Sequence, residues 1–373
     1  MLDEIDEVES RGSNILIRPL DEGESSAFRA AAREAFPAIV AAMVKPRDVS
    51  LVALDGDKIV GGFAASAVTL DDDRSMAIVR WLFVVPGYQG RGIGADLARR
   101  GLEFIRDRGF DFCVSDVDGD NTSSSRIVEA FGGRLVRPWE QWRILGPRGM
   151  AIAWWRLSHF LDFGHFLYVW QITDETSDGE ARRDSAGGEL LLSLGAAAGL
   201  ASIAGWRAGM PVLLVALAAL LLFAIRHLVT VVASMAQGLR VTHRAWDSGY
   251  GFSLALAGVF GVYFPMPGGL YPASAGWRAK DEMVRRGRAA FAAVVALLVV
   301  VGSARWARGW ELGSAWESAL GALNFVGVPV LLFAAVLAMA PFACFHAGRI
   351  RDWHWAAWLG CAVSAGIVIF WPV

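Results

Sequence analysis

The stretch Val79–Arg99 reads VRWLFVVPGYQGRGIGADLAR and predicts the fold around it. Its first half is rich in β-branched, aromatic and apolar residues, and this run ends at Pro86 as a strand would. A turn follows in which Gly90, Gly92 and Gly94 occupy every second position, and apolar residues then recur at helical spacing. The stretch therefore predicts a strand, a turn and a helix, in that order.

The turn Gln89–Gly94 has the properties of an anion-binding site. Glycine allows the backbone to approach a bulky anion, and a helix that begins here directs free N–H groups and its positive dipole end at that anion. Two other phosphate-binding motifs do not fit. The GxxxxGK[ST] loop needs a lysine and a hydroxyl that this stretch lacks, and the dinucleotide fingerprint GxGxxG needs glycine at Leu97. The expected ligand is a pyrophosphate.

The pattern that does fit is Q-x-x-G-x-G after a strand that ends in V-x-P. It resembles the acetyl-CoA-binding motif of the GNAT superfamily of N-acyltransferases. The resemblance implies an α/β (α+β) domain with a mixed central sheet over residues 1–149, and acetyl-CoA as a substrate. It also implies CoA contacts from Phe83, Val84, Val85, Gln89, Gly90, Arg91, Gly92, Ile93, Gly94 and Ala95.

A second segment, NTSSSRIVEAFGG at 121–133, resembles the family's N-x-x-A-x-x-L-Y-E-x-x-G-F helix. The resemblance implies that Asn121 and Ser124 contact the CoA arm. The family's tyrosine, which protonates the leaving thiolate, is replaced here by Val128. A glutamate that some members carry six residues before the proline is replaced by Arg80.

Other groups must then stabilise the transition state. We expect the backbone N–H groups of Phe83 and Val85 to bind the oxyanion, and Asp118 to replace the missing base, with Asp116 and Asp120 as alternatives. Orientation alone can lower the barrier by ~7–11 kcal/mol, whereas a general acid or base contributes about 10²–10⁴-fold. An enzyme without the usual tyrosine and glutamate can therefore still work.

The rest of the first domain alternates strands and helices, as a mixed sheet requires. Strands are expected at 14–19, 49–54, 58–69, 110–116 and 134–145, helices at 25–43 and 121–131, and a solvated turn at 71–73.

Charge and cysteine content exclude several classes of protein. Residues 1–150 contain 24 acidic and 19 basic side chains and the remainder 13 and 16, so neither part predicts a nucleic-acid-binding surface. Three widely spaced cysteines indicate free thiols rather than a disulfide scaffold. The acidic first ten residues, MLDEIDEVES, do not resemble a signal peptide.

Residues 150–188 are expected to connect two domains. The segment 151–172 is apolar and aromatic but contains Arg156, His159, Asp162 and His165. Its tryptophans and tyrosine favour a helix in the membrane interface. The alternative is a buried segment against which the soluble domain packs. The polar segment 173–188 is a predicted linker.

From residue 189 the composition is that of a membrane protein. Apolar spans of near-membrane length are expected at about 189–206, 211–236, 289–306, 319–342 and 355–371. A further apolar block, 249–271, is broken by prolines and glycines. If this block enters and leaves on one side, the basic loop 278–288 faces the cytoplasm, as positive-inside counting favours. We therefore expect five or six spans over 189–373 and a cytoplasmic N-terminal domain.

The segment FGVYFPMPGGLYP at 260–272, after re-entrant backbone, is similar to prokaryotic site-2-protease-like intramembrane metalloproteases. Residues ~205–371 share this looser resemblance. Of the family's HExxH ligands, His227 survives, but Leu228 and Val231 occupy the glutamate and second histidine positions, and His346 replaces the aspartate. Zinc hydrolysis needs three ligands and a base. The resemblance therefore implies a degenerate, non-proteolytic relative that holds no metal.

The sequence as a whole predicts a membrane-anchored N-acetyltransferase that transfers an acetyl group from acetyl-CoA to a primary amine near the lipid bilayer. A non-catalytic acetyl-CoA sensor coupled to the membrane domain is the alternative, and an intramembrane zinc protease is a second one. Arg226, His227 and His346 are candidates to bind a headgroup, the acceptor or a residual metal. Otherwise, Arg226 pairs inside the helix bundle or extends to the membrane surface, and His346 lies at a cytoplasmic helix end.

Overall fold

The computed structural model describes the chain in nine stretches, which are 8–9, 15–70, 74–159, 161–172, 186–265, 268–274, 276–310, 313–339 and 342–372. The chain folds into two compact units. The first contains residues 1–117, 123–158 and 166–182, and the second contains 118–122, 159–165 and 183–373. The expected turn at 71–73 and most of the expected linker at 173–188 lie outside the described residues.

An eight-stranded sheet forms the centre of the first unit, with the strand order β1-β2-β3-β4-β5-β6-β8-β7. The strands are β1 (Val8–Glu9), β2 (Ile15–Pro19), β3 (Val49–Asp55), β4 (Lys58–Thr69), β5 (Ser75–Val84), β6 (Phe112–Asp118), β7 (Arg134–Leu135) and β8 (His165–Gln171). Strands β5 and β6 run parallel, whereas β2 to β5 are joined by antiparallel pairs. The predicted mixed sheet is confirmed.

Five helices belong to this part of the chain, namely α1 (Ser25–Ala35), α2 (Ala38–Met43), α3 (Ile93–Asp107), α4 (Thr122–Ala130) and α5 (Pro138–Leu157). The single helix expected over 25–43 is interrupted at Phe36, which is extended (φ −127°, ψ 155°). Steric conflict with the ring of Pro37 explains the break, because a residue before proline is pushed out of the helical region.

The strand expected at 134–145 is wrong for most of its length. Only Arg134 and Leu135 pair with β8, and α5 begins at Pro138. Proline favours the first position of a helix, and the Glu140 carboxylate accepts a hydrogen bond from the Arg137 N–H at 3.0 Å. These start signals at the helix N-terminus override the strand pattern.

The interfacial helix expected over 151–172 is also wrong. Helix α5 ends at Leu157, and residues 165–171 form β8, which lies between β6 and β7 in the sheet. Tyr168 and Trp170 are buried at 1% and 7% exposure. Their aromatic character therefore serves the core of the first unit, and the sheet includes residues beyond 149.

The second unit is mainly helical. Its helices are α6 (Ala186–Arg207), α7 (Val212–Met235), α8 (Tyr250–Ala255), α9 (Ala279–Ala307), α10 (Ser314–Leu331), α11 (His346–Trp353) and α12 (Trp355–Phe370). Among the described residues, four stretches of helix are long and apolar enough to cross a membrane, namely Gly187–Arg207, Val212–Met235, Ala279–Ala307 and Ser314–Val336. The 16-residue α12 is apolar but shorter than the roughly 20 residues that a span needs.

Helix α7 shows the side-chain distribution of a membrane span. It buries Val215 and Leu222 in the core of the second unit, while Leu213 and Leu228 are exposed at 70% and 59%. A helix that is apolar on all sides is typical of a lipid environment. The outward leucines therefore suit contact with acyl chains.

The block expected to be re-entrant begins and ends at one small sheet. Strand β9 (Val241–Arg244) pairs antiparallel with β10 (Gly269–Pro272), with Arg244 opposite Gly269. Between these strands, α8 continues as a wider helix to Phe260. Because the two ends of the block are hydrogen-bonded neighbours, the backbone turns back on itself as a re-entrant segment does. The basic loop expected at 278–288 is instead the start of α9.

Candidate functional site

Strands β5 and β6 pair along only part of their length. Residues Met76–Val79 pair in parallel with Phe112–Ser115. From there β5 continues to Val84, paired with β4 on one edge and no longer paired with β6 on the other. At the point of separation, the register of β4 and β5 shifts so that Arg80 is an extra residue on β5. Such a bulge bends a strand and ends its pairing. Among the residues that the structure describes, the second half of β5 therefore has an open edge.

The hydrogen bonds of β5 identify which backbone groups face that open edge. The Val85 N–H donates to the Val60 carbonyl of β4 at 2.9 Å. Antiparallel strands alternate between residues that bond to the partner and residues that point away from it, so Phe83, opposite Gly62, also bonds toward β4. The expectation that Phe83 and Val85 supply oxyanion N–H groups is therefore wrong. The intervening Val84 has its N–H and carbonyl on the open side.

The Val84 carbonyl and the Phe83 ring have fixed surroundings. Gln89 Nε2 donates to the Val84 carbonyl at 3.0 Å, which joins the glycine-rich turn to the open edge. The Phe83 ring packs edge-on against Phe28, with 5.2 Å between centroids. A Cβ atom on Gly62 would lie 2.5 Å from the Phe28 ring, so only glycine allows this packing. The position of β5 is thus set from its buried face.

The glycine-rich turn begins α3 in the way the sequence predicts. Gly90 and Gly92 have φ of +78° and +87°, which favours glycine at both positions. Helix α3 starts at Ile93, and the Gly92 carbonyl accepts the Ala95 N–H at 2.9 Å. The earlier N–H groups, those of Ile93 and Gly94, have no acceptor within the helix. They are available to an anion, together with the positive end of the dipole.

The first turn of α3 lies next to the open strand. A Cβ atom on Gly94 would be 3.6 Å from both Val84 Cγ2 and Ile127 Cδ1, so α3, β5 and α4 meet at this glycine. The exposed Arg91 adds a positive charge to the turn. Its guanidinium donates to the Gly87 carbonyl at 2.9 Å and lies 4.9 Å from the centre of the Tyr88 ring. A ligand with an anionic part and an extended amide-bearing part fits this arrangement.

The residues at the start of α4 occupy the positions that the resemblance uses. Asn121 directly precedes the helix, and its N–H donates to the Asp118 carbonyl at 2.9 Å, while Ser124 lies in the first turn. Val128 is buried, and a Cβ atom on Gly133 would lie 2.5 Å from its Cγ1. A valine there offers no proton to a leaving group. The CoA contacts expected of Asn121 and Ser124 stay predictions.

Asp118 is the last residue of β6 and belongs to the second unit. Its Oδ1 accepts the N–H of Asp120 at 2.7 Å. Burial raises the pKa of this carboxyl above its ordinary value, and the nearby His165 opposes the change. A raised pKa makes the carboxylate a stronger acceptor of a proton at neutral pH.

His227 and His346, the two histidines that the metalloprotease resemblance uses, contact an aromatic ring, another histidine or a hydroxyl. The ring of His227 stacks on Phe223 and lies 5.2 Å from the ring of His243, while His346 Nε2 is 3.1 Å from Thr230 Oγ1. Among the described residues, no three His, Cys, Asp or Glu side chains are grouped as a metal site. The relation to intramembrane metalloproteases stays a prediction.

Comparison with known proteins finds similarity to acetyltransferases within the first unit. Residues 16–132 match the model of the acetyltransferase (GNAT) family. The mycothiol acetyltransferase of Rhodococcus erythropolis (strain PR4 / NBRC 100887) is 36% identical over 61 residues, which are 16% of this chain. The matched part spans only 20% of that curated relative.

Two solved structures are similar to part of this chain. The ribosomal-protein-S18-alanine N-acetyltransferase from Escherichia coli is 16% identical, with 44% of this chain and 97% of that chain covered and a TM-score of 0.32. A GNAT family acetyltransferase from Brucella melitensis in complex with acetyl-CoA is 24% identical, with 32% and 82% covered and a TM-score of 0.26. The family match over residues 16–132 supports the predicted GNAT acetyltransferase domain.

Proposed function

We propose that this chain is a membrane-anchored N-acetyltransferase that transfers the acetyl group of acetyl-CoA to a primary amine. The observation that carries the proposal is the open edge of β5 beside the first turn of α3, in a segment that matches the acetyltransferase family. In the reaction, the amine nitrogen attacks the thioester carbonyl, a C–N bond forms and the C–S bond breaks. The amine loses a proton to a base, and the CoA thiolate takes one up.

Binding of acetyl-CoA uses the turn and the open edge together. The pyrophosphate accepts hydrogen bonds from the N–H groups of Ile93 and Gly94, and Arg91 adds an opposite charge. The pantetheine arm lies along the open edge of β5, where the Val84 carbonyl, which already accepts from Gln89 Nε2, has a second lone pair for a pantetheine amide. The remaining residues expected at this site, including Asn121 and Ser124, contact the rest of the CoA arm.

Catalysis then rests on one backbone group and one carboxylate. The Val84 N–H faces the open edge and donates to the oxyanion of the tetrahedral intermediate. One such donor typically contributes about 10²–10³-fold to the rate. Asp118, whose pKa is raised by burial, accepts the proton of the attacking amine. Arg80 and Val128, which occupy the family's glutamate and tyrosine positions, take no part in proton transfer.

The distribution of basic residues supports a cytoplasmic site, where CoA is abundant. Arginines concentrate beside β9, at the start of α9 and in α11, and these are Arg240, Arg244, Arg285, Arg286, Arg288, Arg349 and Arg351. The other ends of α6 and α9 carry only Arg207, Arg305 and Arg308. The positive-inside rule then assigns the first group to the cytoplasm.

The proposal is tested with the full-length protein in detergent micelles. Acetyl-CoA and CoA are titrated calorimetrically, and the release of free thiol is followed with a panel of primary amines. We expect micromolar binding, about −8 kcal/mol, and turnover with at least one amine. Failure of acetyl-CoA to bind a folded protein would contradict the proposal.

A second candidate function is a sensor that binds acetyl-CoA without turnover and acts through the membrane domain. The observation that favours it is Val128, which is buried and cannot protonate the thiolate. Binding without turnover of any amine would support this function. Turnover would exclude it.

A further inference from the structure

Arg349 is a buried cation with unused hydrogen-bond donors. It lies in α11, at 7% exposure, and its Nε and Nη2 atoms are buried with no acceptor among the residues that the structure describes. A guanidinium keeps its proton in proteins, and a buried charge without a partner is strongly unfavourable. An anion that accepts from these two atoms would remove that cost.

The surroundings hold the Arg349 guanidinium in place. Its Cζ lies 5.2 Å from the centre of the Tyr271 ring in β10, and a Cβ atom on Gly269 would be 3.3 Å from its Nη2. Tyr271 is itself 1% exposed, and its hydroxyl accepts from Trp246 Nε1 at 3.0 Å. A side chain fixed in this way is preorganised to bind, because little rotamer freedom remains to be lost.

A second buried arginine faces the same ring. Arg286, in α9, is 8% exposed, and its Cζ lies 5.7 Å from the Tyr271 ring and 5.0 Å from the Trp277 ring. Its Nη2 donates to Asp120 Oδ1 at 2.6 Å, but its Nε is buried and has no acceptor among the described residues. Two buried guanidiniums therefore lie near one aromatic ring, with the half-buried Arg244 as a third cation 5.9 Å from the ring centre, and Arg286 is hydrogen-bonded to the Asp120 carboxylate.

The pKa of Asp120 shows that both arginines act on this carboxylate. Burial raises that pKa, but the charges of Arg286 and Arg349 outweigh burial and hold it below its ordinary value. Asp120 thus stays ionised and neutralises one of the two cations. The Arg286–Arg349 pair keeps an excess of positive charge.

Arg305, in the same unit, is a buried arginine whose Nη atoms have partners inside the protein. It is 6% exposed, and its Nη1 and Nη2 donate to the Asn324 side chain and to the Trp371 carbonyl. Both Nη atoms are therefore used inside the protein, and only its Nε lacks an acceptor among the described residues. Nη2 of Arg349 lacks such a partner among the described residues.

We infer that the Arg286–Arg349 pair binds a carboxylate or phosphate of the acceptor, which is therefore an amine that carries its own anionic group. Asp120 connects this site to the proposed base, because its carboxylate accepts a hydrogen bond from Arg286 and its backbone N–H donates one to the Asp118 carboxylate. An acceptor whose amine reaches Asp118 can place its anion on the arginines. The identification of the anion with part of the acceptor rests on the proposed acetyl transfer. Anion binding by the two arginines rests only on the positions of their side chains.

The first test measures substrate choice with the full-length protein and saturating acetyl-CoA. Matched amines differ only in the anion, as in β-alanine against propylamine and phosphoethanolamine against ethanolamine. Vesicles of phosphatidylethanolamine in phosphatidylcholine, against phosphatidylcholine alone, separate a lipid headgroup from a soluble acceptor. We expect kcat/KM to be at least tenfold higher for the anionic member of a pair. Equal rates within every pair would overturn the inference.

The second test uses variants. Arg349→Gln should raise KM for the anionic amine at least tenfold more than KM for propylamine, whereas Arg349→Lys should restore part of the affinity for the anionic amine. Arg305→Gln, which removes a buried arginine with internal partners, should leave KM unchanged. If Arg349→Gln affected both kinds of amine alike, the arginine would have only a structural role.

A third measurement needs no turnover and so separates this inference from the proposed function. Inorganic phosphate is added to the full-length protein with saturating CoA, which occupies the pyrophosphate site, and thermal unfolding is followed against chloride at equal ionic strength. Phosphate should raise the Tm of the wild type and of Arg305→Gln but not of Arg349→Gln. An equal rise in all three proteins, or no rise in any, would overturn the anion site even if acetyl transfer is observed.

Discussion

The first turn of α3 and the Arg286–Arg349 pair are both suited to anions, but different parts of the chain build them. The turn uses backbone N–H groups of consecutive residues at an exposed helix end. The pair uses two buried side chains from α9 and α11, about sixty residues apart in sequence. A local site leaves a motif, whereas a site built from distant side chains leaves isolated arginines. The predictions below test how far the two regions can be separated.

The largest effect is expected at the turn. Gly92→Glu should abolish measurable CoA binding, a loss of about 100-fold or more, because a carboxylate beside the pyrophosphate repels it at a helix N-terminus. Calorimetry of the full-length variant measures this.

Gly109→Glu is the matched control for this change. Gly109 follows the other end of α3, is exposed and also has a positive φ of +71°, so it reproduces the backbone strain and the added charge. It should bind CoA normally. Equal losses in both variants would mean that strain in α3, rather than contact with the ligand, is responsible.

Removal of the proposed base comes next. Asp118→Asn should lower kcat by about 10²–10⁴-fold while acetyl-CoA affinity stays the same, because the carboxylate acts on the amine and not on CoA. Steady-state kinetics and calorimetry measure the two quantities. Asp107→Asn, at the exposed end of α3, is the control. An unchanged kcat in Asp118→Asn would exclude this residue as the base.

The oxyanion donor is tested by removing a single N–H group. Val84→Pro should lower kcat by about 10²–10³-fold and leave the protein folded, since this N–H lies outside the ladder with β4. Phe83→Pro removes a group that bonds toward β4 and should instead destabilise the first unit. Circular dichroism and kinetics of both variants distinguish these outcomes. Normal turnover by Val84→Pro would place the oxyanion elsewhere.

The smallest effect concerns stability and pH. Because burial raises the pKa of Asp118, the folded state binds a proton more tightly than the unfolded state. Protonated Asp118 therefore stabilises the folded state at low pH, and this stabilisation is lost as the pH rises through the pKa that Asp118 has in the folded state. Asp118→Asn should therefore have a higher Tm than the wild type at pH 8 and little difference at pH 4. In the wild type, kcat/KM should fall on acidification, because the base must be unprotonated. A Tm difference independent of pH would contradict this account.

Two expectations for the first unit were wrong, for two different reasons. Residues 165–171 were expected to meet lipid because tryptophan and tyrosine are common at membrane interfaces, yet they form β8 within the sheet. Composition indicates that an aromatic segment will be covered, but it does not say whether lipid or protein covers it. The strand expected over 134–145 failed because a proline-started helix outweighed a short strand pattern.

The oxyanion residues show a second limit. The motif indicated that the end of β5 contacts the thioester, and we expected the N–H groups of Phe83 and Val85 to bind the oxyanion. Only the register with β4 shows that these two residues bond inward and that Val84 bonds outward. A shift of one residue reverses the direction of every backbone group in a strand. Such a choice depends on the partner strand and is absent from the local pattern.

By itself, the sequence determined the glycine-rich turn, the helix that follows it, the acetyltransferase class and the run of apolar helices. These features depend on the order and spacing of neighbouring residues, which backbone conformation and hydrophobicity translate directly into structure. The tertiary structure alone decided that β8 completes the sheet, that Val84 faces the open edge and that Arg286 and Arg349 meet at one tyrosine ring. These features depend on contacts between residues far apart in the chain, and no local pattern encodes which distant side chain will lie opposite.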